Sequence, residues 1–155
     1  MDALLRTDSL DVARRLANEF QLTLEPTRRK QLGQFFTGLP LSRLVASLSV
    51  HPQCQTVIDP MSGHGDLLDA ALERACAIGA SLHRVDGIDI DTTTLAACES
   101  RLQPWATYLP SCQFNMFPHS AFDNALQARL DLKGYDLVIT NPPYVRYQSI
   151  SKQKQ

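Results

Sequence analysis

No stretch of the chain approaches the ~18 consecutive apolar residues that a membrane span requires. Residues 1–9 carry Asp2 and Asp8 and lack a basic start followed by an apolar run, so no secretory signal is visible. Cysteine is sparse and scattered: Cys54, Cys76, Cys98 and Cys112 form no Cys-x-x-Cys pair, and only Cys54 has a histidine close by, His51. That spacing argues against a disulfide framework or a zinc cluster and predicts reduced, mostly buried thiols in a cytoplasmic protein. Neither sign of charge dominates. The 15 Lys plus Arg and 16 Asp plus Glu leave a formal net charge of −1, which excludes a strongly basic nucleic-acid wrapper and an acidic disordered tail but not a local basic patch. Internal repeats and low-complexity tracts are absent as well.

What is present suits a single domain. The 155 residues are 44% hydrophobic, enough for a real core. Val12, Leu16 and Phe20 recur at helical spacing after Ser9, a candidate cap, and a short basic run follows at Thr27-Arg28-Arg29-Lys30. Gly33-Gln34-Phe35-Phe36-Thr37-Gly38-Leu39-Pro40 then leads into a second helix with Leu41, Leu44, Val45 and Leu48 on one face.

From Thr56 the pattern alternates. Strands are predicted at 56–59, 84–90, 112–116 and 135–140. Helices are predicted at 66–78 (Leu68, Ala71, Leu72 and Ala75 inward, Gly79 as the stop) and at 92–102 (Leu95, Cys98 and Leu102 inward). A further helix, capped by Ser120, carries Phe122, Ala125 and Leu126. Strand–helix alternation with short connections implies right-handed crossovers and an α/β fold with a doubly wound, mostly parallel sheet. Ligands bind such sheets at the carboxyl ends of the strands near the topological switch point. Each polar motif below follows a strand.

After the first strand, Asp59-Pro60-Met61-Ser62-Gly63-His64-Gly65 turns into a helix. It is neither the Gly-x-Gly-x-x-Gly fingerprint nor a P-loop, since no Lys-Ser or Lys-Thr follows. The two glycines allow a close backbone approach to a ligand, or simply a tight turn. At the second strand, Asp89 is placed to accept both hydroxyl protons of a ribose. Asp91 reads as the cap of the next helix and Asp86 as solvent-facing. The fourth strand runs into Asn141-Pro142-Pro143-Tyr144. Two prolines stiffen this loop and leave its carbonyls free. The Asn141 amide oxygen and the Pro142 carbonyl are two acceptors that can converge on an exocyclic amine, and Tyr144 offers a stacking face.

These motifs, in this order, resemble the amino-terminal part of the gamma-class, S-adenosylmethionine-dependent DNA N6-adenine methyltransferases of restriction–modification systems, over roughly residues 28–148. The resemblance implies a Rossmann-like methyltransferase fold of which this chain holds the first four strands. Residues 1–50 would be a helical segment bearing the Gly-Gln-Phe-Phe-Thr motif, 51–148 the amino-terminal part of the catalytic domain, and 149–155 a tail. Phe35 and Thr37 would flank the cofactor's methionine end, and Asp59, Pro60, Met61, Gly63 and Gly65 would form the cofactor loop. Asp89 and Ile90 would hold the ribose end, with Asn115 and Met116 beside the adenine. Asn141, Pro142, Pro143 and Tyr144 would be the catalytic loop, acting on an adenine flipped out of double-stranded DNA. No metal is implied. His64 reads as a surface or cofactor-flanking residue, because the adenine amine needs no base before attack.

Two positions depart from the family pattern. Gly38 stands where a proline is usual, which implies a softer loop, and Asn115 replaces an aspartate, keeping an acceptor but losing a charge. The alternatives are a methyltransferase acting on an rRNA base or a protein glutamine, and a catalytically silent module that docks a partner chain. The expected partners are the remaining carboxyl-terminal part of the catalytic domain and a DNA-recognition domain, so these 155 residues are expected to be an amino-terminal fragment inactive on its own.

Overall fold

The computed structural model describes residues 10–16, 19, 37–130 and 134–143. Helix α1 covers residues 10–16. It is followed by α2 (Leu39–Ser49), β1 (Thr56–Asp59), α3 (Asp66–Ile78), β2 (Arg84–Ile88) and α4 (Thr92–Leu102). A short 3-10 turn (Gln103–Thr107) leads to β3 (Gln113–Phe117), α5 (Asn124–Arg129) and β4 (Leu137–Val138). Among the described residues, no helix is long and apolar enough to cross a membrane.

The strands form one sheet in the order β3-β2-β1-β4, and every pairing is parallel. The chain therefore steps outward from β1 to β3 and returns to the other side of β1 for β4. This reversal makes the carboxyl ends of β1 and β4 the topological switch point.

Strand alternation divides the sheet into two apolar layers. Val57, Val85 and Ile139 pack with Leu67, Leu68, Leu72, Cys98 and Leu102 of α3 and α4 on one face. Ile58 and Ile88 meet Leu126 and Leu130 on the other. A fully buried leucine such as Leu68 stabilises the fold by roughly 1.5–3 kcal/mol, so the predicted inward stripe of α3 is the main support of the first layer. All four cysteines are free thiols, with Cys54 and Cys98 buried, Cys112 half-buried and Cys76 exposed.

Several predicted details differ. Of the apolar face of α2, only Val45 packs against the core: Leu41, Leu44 and Leu48 are exposed, while Ser42 and Ala46 are buried. Polar ties set this rotation. Gly38 N–H at the start of α2 donates to Asp66 at 3.0 Å, and Arg43 donates to Glu73 of α3 at 2.8 and 2.9 Å, so the small residues are the ones that face α3. Likewise, Arg14 donates to the buried Asp69 at 2.8 Å, which leaves Val12 and Leu16 exposed. Ser9 and Phe20 lie outside the described residues.

Helix α5 starts at Asn124 and is capped by Asp123, which accepts from Ala125 and Leu126 N–H. Ser120 caps only the preceding turn, through Phe122 N–H at 3.2 Å, and Phe122 is exposed. The fourth strand is shorter than predicted because side chains replace its early ladder. Asp136 accepts from the N–H groups of Gln55 and Thr56 and from the Thr56 hydroxyl, and only Leu137 and Val138 pair regularly with β1.

Candidate active site

At the end of β1, Asp59 is almost fully buried and accepts the Met61 N–H at 3.0 Å, which starts the turn. Ser62 N–H donates to the Ile88 carbonyl at 2.8 Å, tying the loop to β2. Gly63 N–H donates to Asp89 Oδ2 at 3.0 Å, and the other carboxylate oxygen accepts Asp91 N–H at 2.8 Å. Asp89 thus joins the loop after β1 to the loop after β2. Gly65 enters α3 at φ +88°, and a Cβ there would lie 2.7 Å from Cys98 Sγ. Both the torsion and the space exclude a larger residue.

Asp91 does cap α4, accepting from Thr93 and Thr94 N–H. Burial pushes the Asp59 carboxyl up to about 7, against the opposing hydrogen bonds from Met61 N–H and the Thr140 side chain. Asp89 is also raised above the usual carboxylate range, burial again outweighing its backbone donors.

The fourth strand brings a second element to the same place. Asn141 Nδ2 donates to Thr37 Oγ1 at 3.2 Å, joining residues 104 apart in sequence. Thr37, Asp59, Met61, Gly63, His64 and Asn141 line one open cleft at the switch point. Of the other residues predicted for the site, Gly65 and Asp89 are not in its lining, though Asp89 is bonded to it through Gly63 N–H. Pro60 is half-buried, while Pro142 and Pro143 are exposed, as is Ile90. Phe35 and Tyr144 lie outside the described residues. His64 is 1% exposed, with Nδ1 3.5 Å from Asp66 Oδ1, and so is no surface residue.

Asn115 and Met116 sit inside β3 rather than after it. The Met116 sulfur lies against Cys98 Sγ at 3.7 Å. The Asn115 amide donates to Asp86 Oδ1 at 2.8 Å.

Asp86, expected to face solvent, is fully buried. It also accepts from Arg84 Nε at 2.9 Å and from the Tyr135 hydroxyl. The Arg84 guanidinium, 4.9 Å above the Tyr135 ring, closes the group. A signal was available, since Arg84, Asp86 and Ile88 alternate onto one face of β2 and the first two can pair there.

A second buried network escaped sequence reasoning. Arg101 of α4 donates to Asp66 at 2.8 Å and lies 3.6 Å from Asp69. Trp105 Nε1 and Arg14 Nε each reach Asp69 at 2.8 Å. Asp66 and Asp69 adjoin the apolar stripe of α3, but helical periodicity cannot say whether a charge there finds a partner.

Gly38 is not merely a softer proline. Its φ of +72° with ψ of 149° is closed to proline, whose ring holds φ near −65°, and its N–H is the donor to Asp66. Gly38→Pro, the residue that the resemblance implies there, is therefore expected to destabilise the protein by about 2–4 kcal/mol, combining backbone strain with a lost hydrogen bond to a charged group. Denaturant titration checks this, and unchanged stability would contradict it.

The sequence matches the family described as N-6 DNA Methylase over residues 17–155. No curated protein sequence matches it. Among solved structures, the chain is similar to one described as a modification subunit and assigned to a type I restriction enzyme from Vibrio vulnificus YJ016, with 18% sequence identity and a TM-score of 0.62. The match covers 87% of this chain but only 29% of that one. At such identity the likeness establishes the α/β fold.

Proposed function

The chain belongs to the N-6 DNA methylase family, and from that premise we propose that it provides the cofactor loop and catalytic loop of an S-adenosylmethionine-dependent DNA adenine N6-methyltransferase. The observation that carries this reading is the meeting of Asn141 with Thr37 beside Asp59 at the switch point. There the two motifs assigned to catalysis and to the cofactor share one cleft.

The residues present fit the cofactor. Asp59 is a buried acid on the wall of that cleft, suited to face a cation, and Asp89 holds a carboxylate at the carboxyl end of β2 for ribose hydroxyls. S-adenosylmethionine, when bound, supplies an electrophilic methyl group. A target adenine has to leave the base stack to reach such a site. Asn141 Oδ1 and the Pro142 carbonyl then accept the amino protons and aim the N6 lone pair, with Tyr144 assigned to stack on the base. These acceptors would hold the amine in line with that methyl group and release one N6 proton to solvent once transfer is complete. Positioning and preorganised acceptors carry the rate.

Family membership favours DNA adenine over an rRNA base, a protein glutamine or a silent docking module. The test is methyl transfer from labelled S-adenosylmethionine by the intact protein, with any partner chain it requires, to unmodified duplex DNA, RNA or protein. Adenine-sensitive restriction digestion locates the product. Label entering only RNA or protein would overturn the reading. Asp89→Ala is expected to weaken cofactor binding by about 10–100-fold, as loss of charge-assisted hydrogen bonds does.

Asp59 adds a pH dependence. Its folded value of about 7 exceeds the ~3.9 of an unfolded aspartate. The folded protein therefore holds the extra proton between these values, and this group's contribution makes stability fall as pH rises from about 4 to about 7. Binding of a cationic cofactor has the opposite trend. Below pH 7 it must expel the proton, so affinity should drop by up to about tenfold per pH unit. Calorimetry in buffers of different ionisation enthalpy at pH 6 and pH 8 checks this, and Asp59→Asn should flatten the profile.

A further inference from the structure

The geometry points to Thr37 as a positioning residue for Asn141, held in place by a latch between Gly38 and Asp66 that joins the catalytic loop to the cofactor loop. This rests on the methyl-transfer reading above and deepens it. An asparagine amide has two ends of similar shape and opposite chemistry. Only the orientation that turns Oδ1 toward an incoming amine is productive, and the terminal torsion by itself scarcely distinguishes the two. Here Nδ2 is committed to Thr37 Oγ1 at 3.2 Å, a hydroxyl able to accept it. In this sense of the bond Oδ1 is the end offered to the amine, and the Thr37 hydroxyl proton has to point to another acceptor.

Thr37 needs a fixed place for this to work, and its neighbour provides one. Gly38 N–H donates to Asp66 Oδ2 at 3.0 Å, and Asp66 Oδ1 accepts from Arg101 Nη1 at 2.8 Å. The Arg101 side chain is 1% exposed, so the anchor sits in the interior. Asp66 is also the first residue of α3, directly after Gly65 of the cofactor loop. The latch is the pairing of the Gly38 N–H with Asp66.

The test compares the intact protein with Thr37→Val, which keeps the shape and removes the acceptor, and with Thr37→Ser, which restores it. Thr37→Val is expected to lower kcat at saturating S-adenosylmethionine by about tenfold, the equivalent of one lost hydrogen bond in the reacting state, and Thr37→Ser to recover most of that loss. If saturating cofactor restores the full kcat of Thr37→Val, the hydroxyl serves the cofactor alone and the proposal fails. A second readout does not depend on turnover. The side-chain amide resonances of Asn141 should shift in Thr37→Val and return toward wild type in Thr37→Ser. Unchanged resonances overturn the proposal whatever the substrate is, whereas wild-type protein that never methylates DNA strikes the functional reading instead.

Discussion

Asn141→Ala is expected to lower methyl transfer by about 10²–10³-fold, the cost typical of removing one preorganised electrostatic partner from a reacting centre. Cofactor affinity should change little, because Asn141 sits on the switch loop after β4 while the cofactor loop is held by its own contacts. Ser62 N–H on the Ile88 carbonyl and Gly63 N–H on Asp89 do not involve Asn141. The loss should therefore lie in kcat, not in the dissociation constant of S-adenosylmethionine. Single-turnover rates together with calorimetry separate the two. Wild-type turnover in the variant would contradict the assigned role, and a parallel collapse of cofactor binding would show that the loop had been disturbed.

Asp69→Ala should have the largest effect on stability. Asp69 is fully buried and accepts from Trp105 Nε1 at 2.8 Å and from Arg14 at 2.8 and 3.3 Å, with Arg101 3.6 Å away. Truncation leaves an indole N–H without its acceptor and removes a carboxylate from two guanidinium groups, one of them buried. Breaking a buried pair in this way costs about 3–5 kcal/mol. Glu73→Ala is the contrast, since its contacts with Arg14 and Arg43 are partly exposed, and pairs of that kind are worth about 0–1 kcal/mol. Urea unfolding followed by fluorescence suits the comparison, as Trp105 is the only tryptophan in the sequence and reports on the bond in question. A loss below about 1 kcal/mol for Asp69→Ala would sink the expectation.

Legibility of the fold followed the range of the interactions involved. Apolar spacing in α3 named Leu68, Ala71, Leu72 and Ala75, and all are buried, because helical periodicity is a local property. The cap at Asp91 and the stop at Gly79 were legible for the same reason, each acting on its own helix end. Rotation of α2 was not. Its apolar stripe is real, yet Arg43, Gly38 and two small residues turn most of it outward, and each of those contacts lies on α3. Asp86 was misplaced because two of its partners lie far downstream, Asn115 and Tyr135 being 29 and 49 residues away.

The candidate site divides along the same line. By itself the sequence determined which chemical groups are available: a carboxylate ending each of the first two strands, a glycine turn, and an amide followed by two prolines after the fourth. It also determined the parallel alternation that sends every such group to one end of the sheet. Only the tertiary structure decided that β4 returns beside β1, so that Asn141 meets Thr37 across 104 residues. It alone committed the Asn115 amide to Asp86 and made the glycine at position 38 a latch onto Asp66. Local pattern expresses torsional preference and burial, which one segment carries within itself. The direction of a hydrogen bond between distant segments depends on the packing of the whole sheet, and no single segment encodes it.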